Sequence, residues 1–183
     1  MLTRPGTRPA PNIGAMTVAD LLIDGFGRVR ESVHGAVRGL DADQLAERVA
    51  PDANSIGWLV WHLTRVQDDH LAELEELEQV WTAQGFHERF ALPLDPADTG
   101  FGHSSDQVAS VRVSSARLLT DYHDAVHAQT VAWLAGLKES QLDRIVDEAW
   151  DPPVSLGVRL VSVLDDDLEH VGQAAFVRGI LPR

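Results

Sequence analysis

Four long stretches of the chain repeat apolar residues at intervals of three and four, the spacing of an amphipathic helix. Each stretch starts with a serine, threonine or asparagine that can cap a helix N-terminus. We predict helices from Thr17 to about Leu40, from Asn54 or Ser55 to about Gln84, from Ser104 to about Leu137 and from Ser155 to about Leu181. No segment has a clear two-residue alternation. The sequence therefore predicts an all-α fold, a four-helix bundle with long connections.

The other segments are predicted to be connections within one domain, because 183 residues suffice for one sizeable core. Residues 1–16 hold three prolines and no apolar run, so we expect an irregular arm rather than a signal peptide. Residues 17–183 are predicted to form the single bundle domain. Residues 85–103 are predicted to be a long loop, and loops of this length are often functional.

Charge and composition exclude several function classes. The 15 basic and 28 acidic residues give a net charge of −13. This argues against nucleic acid and anionic membranes as partners, since both need a basic patch. No apolar run is long enough to predict a transmembrane helix, and we expect a cytoplasmic protein. The chain has no cysteine, so any thiol chemistry must use a thiol from outside.

The last predicted helix carries a carboxylate and a histidine at metal-ligand spacing. Asp166 and Asp167 precede His170 by four and three residues, so either carboxylate can share a helix face with it. His170 and one of these two carboxylates, together with His62 on the second helix, would give two imidazoles and a carboxylate. That is a complete set of protein ligands for a divalent metal with positions left open. Helical-wheel geometry slightly favours Asp167, which lies nearer the predicted core.

Other interpretations of these residues stay open on the sequence alone. The acidic run can be a solvated helix face, and a lone helical histidine is commonly a hydrogen-bonded packing residue. A rival metal pair is His123 and His127, which form His-x-x-x-His on the third helix. Their neighbours Tyr122 and Val126 are predicted to be buried, so we expect the two histidines to be solvated.

Two further polar residues are weaker candidates for the same site. Asp69 lies two turns after His62 on the second helix and is a candidate acceptor for an imidazole N–H. His103, in the segment Gly-Phe-Gly-His of the long loop, is expected to reach the mouth of a pocket. No general acid or base stands out beside the candidate ligands.

Two motifs carry a resemblance to a known family. The segments Gly57-Trp-x-x-x-His62 and Asp166-x-x-x-His170-x-Gly-Gln-Ala-x-x-x-Arg178-Gly resemble the DinB superfamily. The nearest branch is the actinobacterial one related to mycothiol-dependent maleylpyruvate isomerase, of which only the metal-binding domain is matched. The resemblance implies zinc or nickel held by His62, Asp166 and His170, which selects Asp166 over Asp167. It also implies a homodimer.

The resemblance further implies a function. Relatives use the metal to activate the thiolate of a low-molecular-weight thiol such as mycothiol, which then attacks an electrophilic small molecule in a transfer or isomerisation reaction. Metal activation of an external thiol suits a chain without cysteine. Two alternatives stay open: a bundle that binds metal or a small ligand without turnover, and a metal-dependent hydrolase.

Overall fold

The computed structural model describes residues 15–181, and these contain eight α-helices, a single 3-10 turn at Glu139–Gln141 and a small sheet. The helices are α1 (Val18–Val37), α2 (Ala42–Ala46), α3 (Ile56–Leu74), α4 (Val80–Ala83), α5 (Phe86–Phe90), α6 (Ser105–Ser110), α7 (Ala116–Leu134) and α8 (Leu156–Ile180). The strands are β1 (Ile145–Asp147) and β2 (Val154–Ser155). The predicted arm 1–16 lies outside the described residues except at its last two positions.

The four long helices α1, α3, α7 and α8 form the predicted bundle. Helix α8 packs against α3 and α1, and α7 packs against the same two helices from the other side. The predicted caps also form: the side chains of Thr17, Ser55, Ser104 and Ser155 each accept a hydrogen bond from a backbone N–H in the first turn. The prediction of an all-α four-helix bundle is confirmed.

The second and third predicted helices are each interrupted, which the sequence analysis did not expect. Helix α3 ends at Leu74, where a run of glutamates meets the negative end of the helix dipole and Glu76 takes a positive φ of 52°. In the third segment the chain leaves helix α6 at Val111 and restarts as α7, capped by Ser115. The helical spacing of apolar residues continues through both interruptions, because the short helices α4 and α6 also bury their apolar residues.

The connections hold more structure than predicted. The link after α1 contains the short helix α2, and the predicted loop 85–103 contains the helix α5, which was not predicted. Strands β1 and β2 pair antiparallel before α8. Strands of three and two residues are too short to show an alternating pattern. Across residues 15–181, no helix is both long and apolar enough to span a bilayer.

The buried face of α8 differs from the predicted one. A helical wheel of this segment predicts a core stripe that contains Leu164, Leu168 and Ala175, but Leu168 and Ala175 are exposed. The residues that are buried instead include Val163, Asp167, Ala174 and Val177. Periodicity could not choose the face because α8 is apolar on both sides. Its exposed apolar side chains are Val158, Val161, Leu168, Phe176 and Ile180.

Candidate metal centre and cavity

The packing of α3 against α8 brings together the three side chains that the resemblance implied as ligands. His62 lies on α3, and Asp166 and His170 lie one turn apart on α8. One ligand atom from each residue lies within 4.8 Å of the other two. The imidazole centroids of His62 and His170 are 4.7 Å apart, and the rings are inclined by 70°. The three residues therefore form a cluster that could hold a metal ion.

Hydrogen bonds determine which nitrogen of each imidazole is free to bind a metal. Nδ1 of His62 lies 2.5 Å from the carbonyl oxygen of Thr99, and Nδ1 of His170 lies 2.8 Å from the carbonyl oxygen of Asp166. A carbonyl only accepts, so each Nδ1 carries the hydrogen and donates it. Both Nε2 atoms are left with a free lone pair, which is the usual arrangement of metal-binding histidines.

The carboxylate completes a set that suits a divalent cation. Oδ2 of Asp166 is buried and has no hydrogen-bond partner within residues 15–181, although it lies 3.5 Å from Nδ1 of His170. A buried carboxylate oxygen without a partner is costly unless something else binds it. Two imidazole nitrogens and one carboxylate oxygen are a common donor set for zinc and nickel. The residues present thus fit a metal.

The two imidazoles differ in their affinity for protons. Burial lowers the pKa of His62, against the opposing effect of its bond to Thr99, so this ring is neutral at pH 7, as a ligand must be. Burial also acts to lower the pKa of His170. The nearby Asp166 carboxylate and the hydrogen bond to the Asp166 carbonyl outweigh it, and the net pKa of His170 is raised. A metal would therefore displace a proton from His170 more readily as the pH rises.

The ring of His62 is held from two further sides. Trp58, one turn earlier on α3, stacks on it at a centroid distance of 4.5 Å and an interplanar angle of 18°. The backbone of Gly100 lies close to the Nδ1 edge of the ring, since a Cβ atom on Gly100 would lie only 2.8 Å from Nδ1 of His62. Gly100 has a φ of +91°, which favours glycine. The loop around Gly100 is therefore part of the site.

A cavity of about 520 Å³ opens beside His62 and Asp166, within the size range of small-molecule sites. The exposed rings of Phe101 and Trp150 also line it. Its remaining charged and polar lining includes Asp69, His70, Glu73, Asp147, Arg159 and Ser162. Arg159 is paired with Asp147 at 2.7 Å, so carboxylates outnumber free cations along the wall. The cavity suits uncharged or cationic molecules better than anions.

His70 and Arg159 are residues of this cavity that the sequence analysis missed. A guanidinium nitrogen of Arg159 lies 3.4 Å from Nδ1 of His70. Burial and the nearby Arg159 lower the pKa of His70. The position of His70 could have been predicted, because His70 follows His62 by eight residues, about two helical turns, and so lies on a similar side of α3. Arg159 precedes Asp166 by seven residues and therefore lies on the same face of α8.

The remaining candidates occupy other places. Asp69 lines the cavity but accepts its hydrogen bond from Nε2 of Gln79, at 2.6 Å, rather than from an imidazole.

The prediction that His123 and His127 are both solvated is wrong: His123 is buried, with Nδ1 3.1 Å from the hydroxyl of Thr64. Burial lowers the pKa of His123 to about 3. Helix α7 is buried over a wider arc than Tyr122 and Val126 alone indicated.

Asp167 lies in the bundle core, away from the cluster that Asp166 joins. It is fully buried, and neither carboxylate oxygen has a hydrogen-bond partner within the described part of the chain. Burial, together with the neighbouring Asp166, raises the pKa of Asp167 well above its usual range. The wheel placed Asp167 near the core correctly, but that position directs its side chain away from the cavity.

Replacing Asp167 with asparagine is expected to stabilise the protein at pH 8 and to change little at pH 4. Because the native pKa of Asp167 is raised, the native state holds a proton that the unfolded state releases above the usual carboxyl pKa. Stability is then lost as the pH rises from that value towards the native pKa. Asparagine cannot ionise and therefore removes this loss of stability. Urea unfolding of both proteins in chelator measures the difference, with Asp165→Asn on the exposed face as the control.

Known proteins that are similar to this chain identify its family. The chain is similar to a conserved protein of Enterococcus faecalis, known from a crystal structure, with a TM-score of 0.84 and 34% sequence identity over 90% of this chain and 96% of the other. No curated protein matches the chain. A family model described as mycothiol-S-transferase matches residues 21–182, which include all four bundle helices apart from the first turn of α1. The chain therefore belongs to the mycothiol-S-transferase family, within the DinB superfamily that its two motifs resemble.

Proposed function

We propose that this protein is a metal-dependent enzyme that joins a mycothiol-type thiol to an electrophilic small molecule. The observation that carries the proposal is the convergence of His62 with Asp166 and His170 at the wall of a cavity large enough for small-molecule substrates. The membership of the mycothiol-S-transferase family supports the thiol as co-substrate. A transfer or an isomerisation can follow from the same activated thiol.

The residues of the site have separate roles in this proposal. Nε2 of His62, Nε2 of His170 and the carboxylate of Asp166 hold a divalent cation, zinc or nickel. When bound, such a cation supplies a Lewis acid that lowers the pKa of a thiol, so that a thiolate exists at neutral pH. Thr99 and the carbonyl of Asp166 keep both imidazoles in the tautomer that binds. The absence of cysteine means that the sulfur nucleophile is the co-substrate's own.

The cavity beyond the ligands receives the electrophile. Its carboxylates, with Arg159 already paired to Asp147, favour an uncharged or cationic acceptor over an anionic one. Trp150 and Phe101 offer ring faces to an apolar or cyclic part of the substrate. Substrate bound here also displaces water from the reacting sulfur, which strengthens its interactions with the protein.

Alanine at His62 is expected to abolish stoichiometric metal binding, because one of three protein ligands is lost. Elemental analysis of protein purified without chelators measures it. Asp166→Asn should also lose metal, whereas the matched control Asp165→Asn, an exposed neighbour on the same helix, should keep it. Equal metal content in His62→Ala and the unaltered protein would refute the ligand set.

The catalytic part of the proposal is tested by conjugation of mycothiol to monochlorobimane, an uncharged electrophile. The metal-loaded protein should accelerate the reaction over the chelated protein, and His62→Ala should not. Metal binding without acceleration would contradict the transferase and leave a binding bundle. Release of hydrolysed product without thiol incorporation would favour the hydrolase instead.

The homodimer stays a prediction. Its candidate surface is the exposed apolar face of α8, where Phe176 and Val161 are 70% and 63% exposed. Exposed apolar patches on a helix commonly mark protein contacts. We propose that this face pairs with a second copy of the chain.

A further inference from the structure

His103 is the residue of the long loop whose role the proposed function does not use. Its side chain is only 3% exposed, and it does not line the cavity, contrary to the expectation that it reaches a pocket mouth. It lies instead behind Trp58, with ring centroids 6.1 Å apart. A buried histidine in a loop needs partners for both ring nitrogens.

Both nitrogens of His103 have a partner, and the chemistry of the partners fixes the tautomer. Nε1 of Trp58 lies 3.1 Å from Nδ1 of His103, and an indole N–H only donates, so Nδ1 accepts. Nε2 therefore carries the hydrogen and donates it to the carboxylate of Asp98, whose two oxygens both lie at 3.0 Å. The three side chains form one directed chain from Trp58 to Asp98.

Each end of this chain is itself held in place. Asp98 accepts a second hydrogen bond from the backbone N–H of Gly100 at 2.7 Å, and its carbonyl accepts one from the buried guanidinium of Arg65 at 3.2 Å. At the other end, the Trp58 ring stacks on His62. The chain thus runs from a fixed loop to the face of a candidate metal ligand.

We infer that His103 is a positioning residue for the metal centre: through Trp58 it sets the plane of the His62 imidazole. The inference rests on the proposed metal site. Without the acceptor at Nδ1 of His103, the indole N–H of Trp58 has no partner, and only packing then holds the plane of the Trp58 ring. His62 would then keep its bond to Thr99 but lose the fixed surface that sets its tilt. Direct hydrogen-bond partners that orient metal-binding histidines affect metal affinity by about 10- to 100-fold, which sets the scale for this contact.

The test compares two substitutions of His103 by titrating the full-length protein with Co²⁺ and recording its visible spectrum. His103→Leu removes both hydrogen bonds, and its Co²⁺ affinity should fall about tenfold or more with a changed absorption envelope. His103→Gln keeps one acceptor and one donor, and it should restore the affinity to within about threefold of the unaltered protein. A purely structural role would lower stability without changing the spectrum.

A second variant keeps the inference testable if His103→Leu does not fold. Trp58→Phe retains an aromatic face on His62 but has no N–H for His103, and it should weaken Co²⁺ binding in the same way. Unaltered affinity and spectrum in either folded variant would overturn the inference. Failure of the unaltered protein to bind Co²⁺ would instead contradict the proposed metal site, so the two results are distinguishable.

Discussion

Replacing Gly100 with alanine is expected to weaken metal binding by about 10- to 100-fold. A Cβ atom at this position would lie 2.8 Å from Nδ1 of His62 and 2.9 Å from a ring carbon of Trp61. Neither ring can move freely, because Trp61 is buried and His62 lies between Trp58 and Thr99. The new methyl group must therefore displace the His62 imidazole from its present position relative to Thr99, Asp166 and His170.

Gly102 offers a matched control two residues later. It also has a positive φ, +72°, but an added Cβ would meet nothing within 4 Å. Gly102→Ala should therefore cost a similar backbone strain, about 1 kcal/mol, and leave metal affinity unchanged. Calorimetric titration of both variants with Zn²⁺ makes the comparison. Equal affinities would mean that the contact with Gly100 does not determine the position of His62.

Much of the fold was predictable because it depends on local signals. Thr17, Ser55, Ser104 and Ser155 cap helices as their side chains indicate, and the apolar spacing of the long helices identified the bundle. The interruption after Leu74 was not predictable in this way. The short helix α4 that follows is held by Asp68, which accepts hydrogen bonds from two of its backbone N–H groups, a contact that only the folded chain makes.

The candidate site was also predictable only in part, because some of its features follow from residue spacing and others from tertiary contacts. The sequence placed His62 and His170 with one carboxylate of the acidic run as candidate ligands, and the resemblance selected Asp166 over Asp167. The contacts that orient His62 come from Thr99 and Gly100, 37 and 38 residues later, in a segment predicted only to be a loop. Loop backbone positions depend on tertiary contacts. Residue spacing could therefore propose ligands but not the groups that hold them.

Removing Asp68 is expected to destabilise the protein by about 3–5 kcal/mol, because it leaves a buried charge without its partner. Arg65 and Asp68 are both almost fully buried, with a guanidinium nitrogen 3.6 Å from a carboxylate oxygen. Burial raises the pKa of Asp68, although Tyr122, two backbone N–H groups and Arg65 oppose the shift. The intact pair thus contributes little net stability, whereas losing one member is costly.

The alanine variant Asp68→Ala also leaves three donors without an acceptor. They are the hydroxyl of Tyr122 and the backbone N–H groups of Val80 and Trp81, now 2.8–2.9 Å from the Asp68 carboxylate. Urea unfolding at pH 7 measures the loss. Glu73→Ala on the same helix should stay within about 0.5 kcal/mol of the unaltered protein, since the Glu73 side chain is 72% exposed.

A loss below about 1 kcal/mol in Asp68→Ala would mean that water reaches Arg65 and replaces the carboxylate. That outcome has a consequence for the site, because Arg65 also holds the carbonyl of Asp98. Water around Arg65 would loosen the loop that carries Thr99 and Gly100. The full 3–5 kcal/mol loss would instead show that the interior between α3 and α4 stays dry. Arg65 would then be held without water against the carbonyl of Asp98, in the loop that carries Thr99 and Gly100.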